Sequence, residues 1–100
     1  FYPWVDDESV AECANCEASN IAATSTLGCF AGGLSPYGVE ELAGNVWEWT
    51  ASPYDLAGAY QVLRGGAWPH DQRFLTTTFR YYALPGYRCD ALGFRCIREE

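Results

Sequence analysis

The side chains best suited to chemistry in this 100-residue chain are five cysteines, one histidine, thirteen carboxylates and six arginines. Cys13-Ala-Asn-Cys16 has the spacing of half a zinc site or of a redox dithiol, yet no second pair at that spacing follows and no strand-then-helix pattern surrounds it. The odd total of Cys13, Cys16, Cys29, Cys89 and Cys96 leaves at least one thiol unpaired within the chain or paired outside it. A cysteine content this high favours disulfides and an extracellular or cell-surface setting. His70 is the sole histidine, so a His-based catalytic constellation has to use it. On a strand, its neighbour Asp71 would point to the opposite face, and no activated Ser or Cys can be placed beside the two. A contact role is therefore favoured over that of a general base.

The charges are divided along the chain. Residues 1–63 hold nine acids and no base, whereas 64–100 hold six arginines and four acids. With a net charge of −7 and no lysine, the chain cannot present the broad basic surface that phosphate backbones require, which excludes nucleic acid as a partner. Every base is a planar guanidinium suited to fixed pairing. Apolar residues make up 49% and aromatics 16%, enough for a compact core in one small domain that needs extra fastening. No run of eighteen apolar residues marks a transmembrane segment. The opening FYPWVDDESV has neither the basic nor the apolar region of a signal peptide and reads as the middle of a longer unit.

Periodicity predicts one short helix over residues 8–18, started near Asp6 or Asp7, and a loop over 19–38 rich in Gly, Ser, Pro and Asn. Strand-like runs follow at 46–50, 61–64, 74–82 and 93–97, separated by Gly and Pro clusters. The expected class is α+β, loop-rich, with a small antiparallel sheet and little helix.

Four blocks stand in order: Tyr2-Pro3-Trp4, the run Ser35 to Trp49 containing Gly44-Asn45-Val46-Trp47-Glu48-Trp49, Arg64-Gly65-Gly66-Ala67-Trp68, and Arg80 followed by Gly93-Phe94-Arg95-Cys96. Together they resemble the C-terminal half of the formylglycine-generating-enzyme or sulfatase-modifying-factor family. The resemblance implies a C-type-lectin-like fold. It also implies that residues 1–100 are a single domain truncated at its N-terminal side, whose missing half or other subunits would be partners. The residues themselves carry a mainly structural reading. Glycines 44, 65 and 66 permit close approaches, Trp47, Trp49 and Trp68 supply buried surface, and Arg64, Arg80 and Arg95 pair with Glu48 or with loop carbonyls.

The same resemblance implies a structural calcium site built from the carboxylates of Glu41 and Glu48 and the carbonyls of Gly44 and Val46, a hard-oxygen set suited to Ca²⁺. Glu41 departs from the amide or short acid usual there. In the family's enzymes, two copper-binding cysteines follow the Arg-Gly-Gly block, where this chain has His70 and Leu75. An imidazole and an isobutyl group do not replace a thiolate pair for the soft ion Cu(I), so the sequence leans away from catalysis.

Residues 69–92 carry Tyr, Phe, Leu, Thr, Ala, His and Asp where relatives hold polar filler. That pattern is similar to the variable proteins of diversity-generating retroelements, which display mutagenised residues near the C-terminus of a C-type-lectin-like fold. His70, Asp71, Arg73, Phe74, Phe79, Tyr81, Tyr82 and Tyr87 are the candidate ligand-binding residues, with about half of the aromatics expected to pack and half to be displayed. The leading expectation is a non-catalytic module recognising a protein or surface ligand. Part of an oxidase-like sulfatase-modifying enzyme and a structural accessory subunit are the alternatives.

Overall fold

The alternation of large aromatic and small polar side chains in Trp47-Glu-Trp-Thr-Ala-Ser-Pro53 suits a strand with one covered face, and this run forms the longest strand of the fold, β1 (Trp47–Pro53). The computed structural model describes residues 2–4 and 10–96. β1 is buried at Trp47 and emerges into solvent towards Pro53, which lacks an N–H and sits at the end of the ladder. β2 (Gln61–Arg64) buries Val62 and Leu63 and pairs antiparallel with β1, Trp49 lying opposite Leu63 and Glu48 opposite Arg64. β3 (Tyr81–Ala83) pairs antiparallel with β2, and β4 (Leu92–Gly93) pairs with β1. Among the described residues the sheet order is β3-β2-β1-β4.

The β1–β4 pairing is parallel, so the sheet is mixed rather than wholly antiparallel. The reason is topological. β3 and β4 occupy opposite edges, and the connection over 84–91 crosses from one to the other, so the chain arrives at β1 in the same direction as β1 itself.

Three other expectations need correction. The predicted 8–18 helix is one α-turn, α1 (Val10–Cys13), followed by a 3₁₀ turn at Glu17–Ser19; Glu8, Ser9 and the proposed caps lie outside the described residues. The helix stops because Asn15 is used elsewhere. Its carbonyl accepts the Asn45 amide at 2.8 Å, its Nδ2 donates to the Ala23 carbonyl at 2.8 Å, and the Ser19 hydroxyl takes the Ala14 carbonyl at 2.6 Å. The predicted 74–82 strand survives only at β3. Asp71 caps a 3₁₀ turn at Gln72–Leu75 by accepting the Arg73 amide at 2.9 Å. The Thr77 carbonyl is then taken by the Arg64 guanidinium at 2.8 Å instead of by a neighbouring strand. Of the 93–97 run only Gly93 is strand, and Ile97 lies outside the described residues.

The 19–38 loop is a loop, with one 3₁₀ turn at Ala31–Gly33. Two apolar clusters hold the domain. One gathers Trp4, Cys13, Ala14, Cys16, Ala43 and Leu75, the other Trp47, Leu63, Ala67, Ala83 and Ala91, and Phe74 packs against both. The loops are stitched by backbone bonds between distant segments. Gly44 donates to the Gly65 carbonyl at 2.7 Å and Trp68 to that of Asn45 at 2.9 Å. The arginines tie loops as their chemistry suggests. Arg80 donates to the Tyr54 carbonyl at 3.2 Å and lies 5.0 Å from the centre of its ring.

Candidate functional site

His70 follows Trp68-Pro69 in a turn closed by its own amide, which donates to the Ala67 carbonyl at 3.1 Å, while its carbonyl accepts the Glu17 amide at 2.9 Å. The imidazole rests against Trp47 and Phe74, with centroids 5.5 Å and 5.0 Å away. Burial lowers its pKa below the usual histidine value, with the neighbouring Asp71 carboxylate working the other way. Tyr81 and Tyr82 project from β3, both exposed, and Tyr87 follows a turn closed by its amide on the Leu84 carbonyl at 2.9 Å. These four side chains line one cleft of about 730 Å³ together with Trp47, Tyr60 and Leu63. Cys89 lines it too, and a hydrogen bond with the Cys89 side chain pushes the Tyr87 phenol above its usual pKa.

Of the eight residues expected to contact a ligand, the structure thus gathers His70, Tyr81, Tyr82 and Tyr87. Asp71 and Arg73 instead pair with each other at 2.8 Å on the surface, which lowers the carboxylate's pKa and raises the guanidinium's. Phe74 and Phe79 are half-buried, with rings 4.8 Å apart and packed against Trp47. Phe74 and Phe79 thus pack, whereas Tyr81, Tyr82 and Tyr87 are exposed. The cleft residues missed by sequence reasoning are Trp47, Tyr60, Leu63, Cys89 and the apolar residues that surround them. Tyr60 had a signal, since it borders the 61–64 strand run as an aromatic. Trp47 had none that distinguished a wall of a cleft from core.

A second cleft, about 470 Å³, brings Glu41, Gly44, Val46 and Glu48 together, with Arg95 and Phe94 at its side. Glu41 is 6% exposed; its Oε2 accepts the Gly28 amide at 2.8 Å, and its buried Oε1 has no partner among the described residues. Glu41 also sits at φ +52°, a left-handed conformation that long side chains adopt rarely and that Asn adopts readily. Glu48 is held by Arg95, whose Nη2 reaches its Oε2 at 2.8 Å, while the same guanidinium takes the carbonyls of Glu40 and Glu41 at 2.9 Å and 2.8 Å. The Glu48 bond raises the Arg95 pKa further. The orphaned Glu41 oxygen fits a hard cation, and Glu48 reaches one only by sharing its carboxylate with Arg95.

The residues at the copper positions do not fit copper. Leu75 is 1% exposed and belongs to the apolar cluster with Trp4 and Ala43, while His70 packs on Trp47. Among the described residues, no group of three His, Cys, Asp or Glu side chains is placed to hold a metal, and no helix is long and apolar enough to cross a membrane.

Comparison with known proteins agrees with this architecture. The chain is 32% identical over 111 residues to hercynine oxygenase of Mycobacterium tuberculosis, covering 94% of this chain and 26% of that protein. It is 44% identical over 80 residues to the inactive C-alpha-formylglycine-generating enzyme 2 of Mus musculus, covering 64% and 26%. The chain therefore spans about a quarter of the length of the curated relatives it matches. PvdO from Pseudomonas aeruginosa superposes with a TM-score of 0.75 at 26% identity, over 93% of this chain and 42% of that one. Treponema denticola variable protein 1 does so with a TM-score of 0.75 at 27% identity, over 94% and 40%. The fold is the loop-rich C-type-lectin-like one, with a small mixed sheet and little helix. Residues 2–100 match the family model described as sulfatase-modifying factor enzyme 1-like domain, and the chain belongs to that family.

Proposed function

We propose that this domain is a non-catalytic recognition module that takes a protein or surface ligand through residues 69–92, outside the cell or on its surface. One observation carries the reading: His70, Tyr81, Tyr82 and Tyr87, from separate stretches of this segment, converge on one aromatic cleft. Tyrosines give large contact area for little rotamer entropy, as recognition surfaces require. The burial of Leu75 where the enzymes have a copper thiolate, and the similarity to a relative named as inactive, support the absence of catalysis. Likeness to a variable protein supports a refinement in which a retroelement diversifies 69–92.

The test is an array of peptides, glycans and surface proteins probed with the wild type and with Tyr81→Ser/Tyr87→Ser. Ligands bound by the wild type and lost at least tenfold by the variant are expected, since central aromatics carry about 2 kcal/mol or more each. A copper-supplemented assay of cysteine oxidation in a sulfatase-motif peptide is run in parallel; robust turnover there would replace this reading with the oxidase one. A template repeat in the coding DNA, differing from 69–92 only at adenines, is the signature of diversification.

The second cleft holds, in our proposal, a structural Ca²⁺ on Glu41, Glu48 and the carbonyls of Gly44 and Val46. The buried, unpartnered Glu41 oxygen supports it. Calorimetric titration with Ca²⁺ should show binding that Glu41→Gln weakens at least tenfold. Equal binding by both proteins removes Glu41 as a ligand.

A further inference from the structure

The aromatic cleft has an unusual charge inventory. Its walls are the rings of Tyr60, Tyr81, Tyr82 and Tyr87 over a floor that includes the buried Trp47, and among the described residues no arginine, aspartate or glutamate lines it. His70, its one basic side chain, is kept neutral more readily than an exposed histidine by burial. Among the described residues the cleft therefore carries no fixed charge, and its electrostatic character is set by the rings, whose faces are negative.

The rings do not form a flat platform. Trp47 and Tyr81 have centroids 5.4 Å apart with planes at 46°; Tyr81 and Tyr82 are 5.3 Å apart at 65°; Tyr60 and Tyr82 are 5.2 Å apart at 79°. These rings meet in contact at steep angles, with Tyr54 also packed 4.6 Å from Tyr82, so the exposed faces of Tyr81 and Tyr82 are turned in different directions. A flat aromatic ligand is served better by parallel rings, which this cleft lacks.

Each ligand class can be weighed against this inventory. An anion finds no cation among the described cleft residues, and the chain's net charge of −7 repels it from a distance. A compact primary ammonium is strongly hydrated and finds no carboxylate among the described cleft residues to take over from water. A methylated ammonium is weakly hydrated, is attracted by ring faces and by the overall negative charge, and offers methyl groups to Leu63, Ala83 and Ala91 on the cleft wall.

We infer that this cleft is an aromatic cage for a quaternary or fully methylated ammonium group. The inference rests on the recognition reading of the same cleft and names the chemistry it recognises. The group can be borne by a small molecule or by a trimethylated lysine of a protein partner.

The experiment is an NMR titration of the ¹⁵N-labelled protein, following the Trp47 indole N–H. Four probes are used: choline, its uncharged carbon isostere 3,3-dimethyl-1-butanol, a peptide with trimethyl-lysine, and the same peptide with unmodified lysine. The indole proton is buried with no partner among the described residues, so its resonance reports the cleft. Choline or the trimethyl-lysine peptide should shift it saturably, with the isostere and the unmodified peptide about tenfold weaker, as expected for a desolvated cation over rings. Choline alone marks a small-molecule source, and the peptide a protein one.

Tyr87→Leu, in an exposed loop, and Tyr81→Leu keep apolar volume but remove a ring; each should lower affinity for the cation several-fold and leave the isostere almost unchanged. Equal binding of choline and isostere, both lost in these variants, overturns the ammonium while leaving the cleft as a recognition site. No shift with any probe also overturns it, and the array then decides the recognition reading separately.

Discussion

Gly44→Ala should destabilise the domain by about 3 kcal/mol or more, a large part of the roughly 5–15 kcal/mol that holds a domain of this size together. Two effects add. Gly44 has φ +79°, where an L side chain is strained by about 1–3 kcal/mol, and a Cβ built there would lie 2.6 Å from the Asn15 carbonyl oxygen and 3.0 Å from the Ala14 Cβ. The Asn15 carbonyl cannot retreat, because it accepts the Asn45 amide at 2.8 Å. Gly58→Ala is the control. Its φ is +71°, but nothing lies within 4 Å of the added methyl, so only backbone strain of about 1–2 kcal/mol is expected. Urea midpoints of the two variants decide the matter. A Gly44→Ala midpoint at or above that of Gly58→Ala would show that the close crossing of 44 over 14–15 does not constrain the fold.

Arg95→Ala should cost about 2 kcal/mol. Its guanidinium binds Glu48 and the carbonyls of Glu40 and Glu41 at once, so its loss leaves a carboxylate that is only 17% exposed without a partner. A fully buried pair broken in this way costs about 3–5 kcal/mol. The Arg95 side chain is 37% exposed, and solvent screening brings the figure down. The expected melting-temperature drop is roughly 10 °C. Arg95→Lys should recover little, because a point-charge ammonium cannot serve three acceptors in one plane. If Ca²⁺ occupies the neighbouring cleft, adding it should restore more stability to Arg95→Ala than to the wild type, since the freed Glu48 becomes a full ligand. A melting temperature for Arg95→Ala within a degree or two of wild type would mean that Glu48 needs no counter-ion.

The scaffold was legible because its signals are local and chemically strict. Gly44, Gly65 and the Trp47-Glu-Trp49 run identify positions where only one residue type fits, and the arginines announced their carbonyl and carboxylate partners by lacking any lysine alternative. The strands expected at 46–50 and 61–64 followed from β-like composition, and the first runs on to Pro53 in the structure. What sequence could not give was decided by tertiary contacts. Phe74 to Tyr82 has a strand-like composition, yet the Asp71 cap and the Arg64 bond to the Thr77 carbonyl turn its first half into a 3₁₀ turn and a loop. Which aromatics pack then depends on where Trp47 lies, and that is fixed by β2 and by the crossing to β4. The parallel pairing of β4 was illegible for the same reason, because two residues of ladder leave no periodic trace. The cleft around Glu41 and Glu48 was the reverse case. Its four residues were named from a resemblance and do meet, whereas the grip of Arg95 on Glu48 was only one of several pairings that the composition allowed.

The connection over 84–90 is exposed throughout and joins the two edges of the sheet, supplying Leu84, Gly86, Tyr87 and Cys89 to the cleft. Such a segment is nearly decoupled from the energetics of Gly44, Leu75 and Trp47. Mutational cost is therefore distributed in two regimes, severe where glycines and tryptophans cross and slight along this span. A population of genes could sample many side chains over 84–90 with few non-viable offspring, which is the condition for a protein to behave as a library with a constant frame.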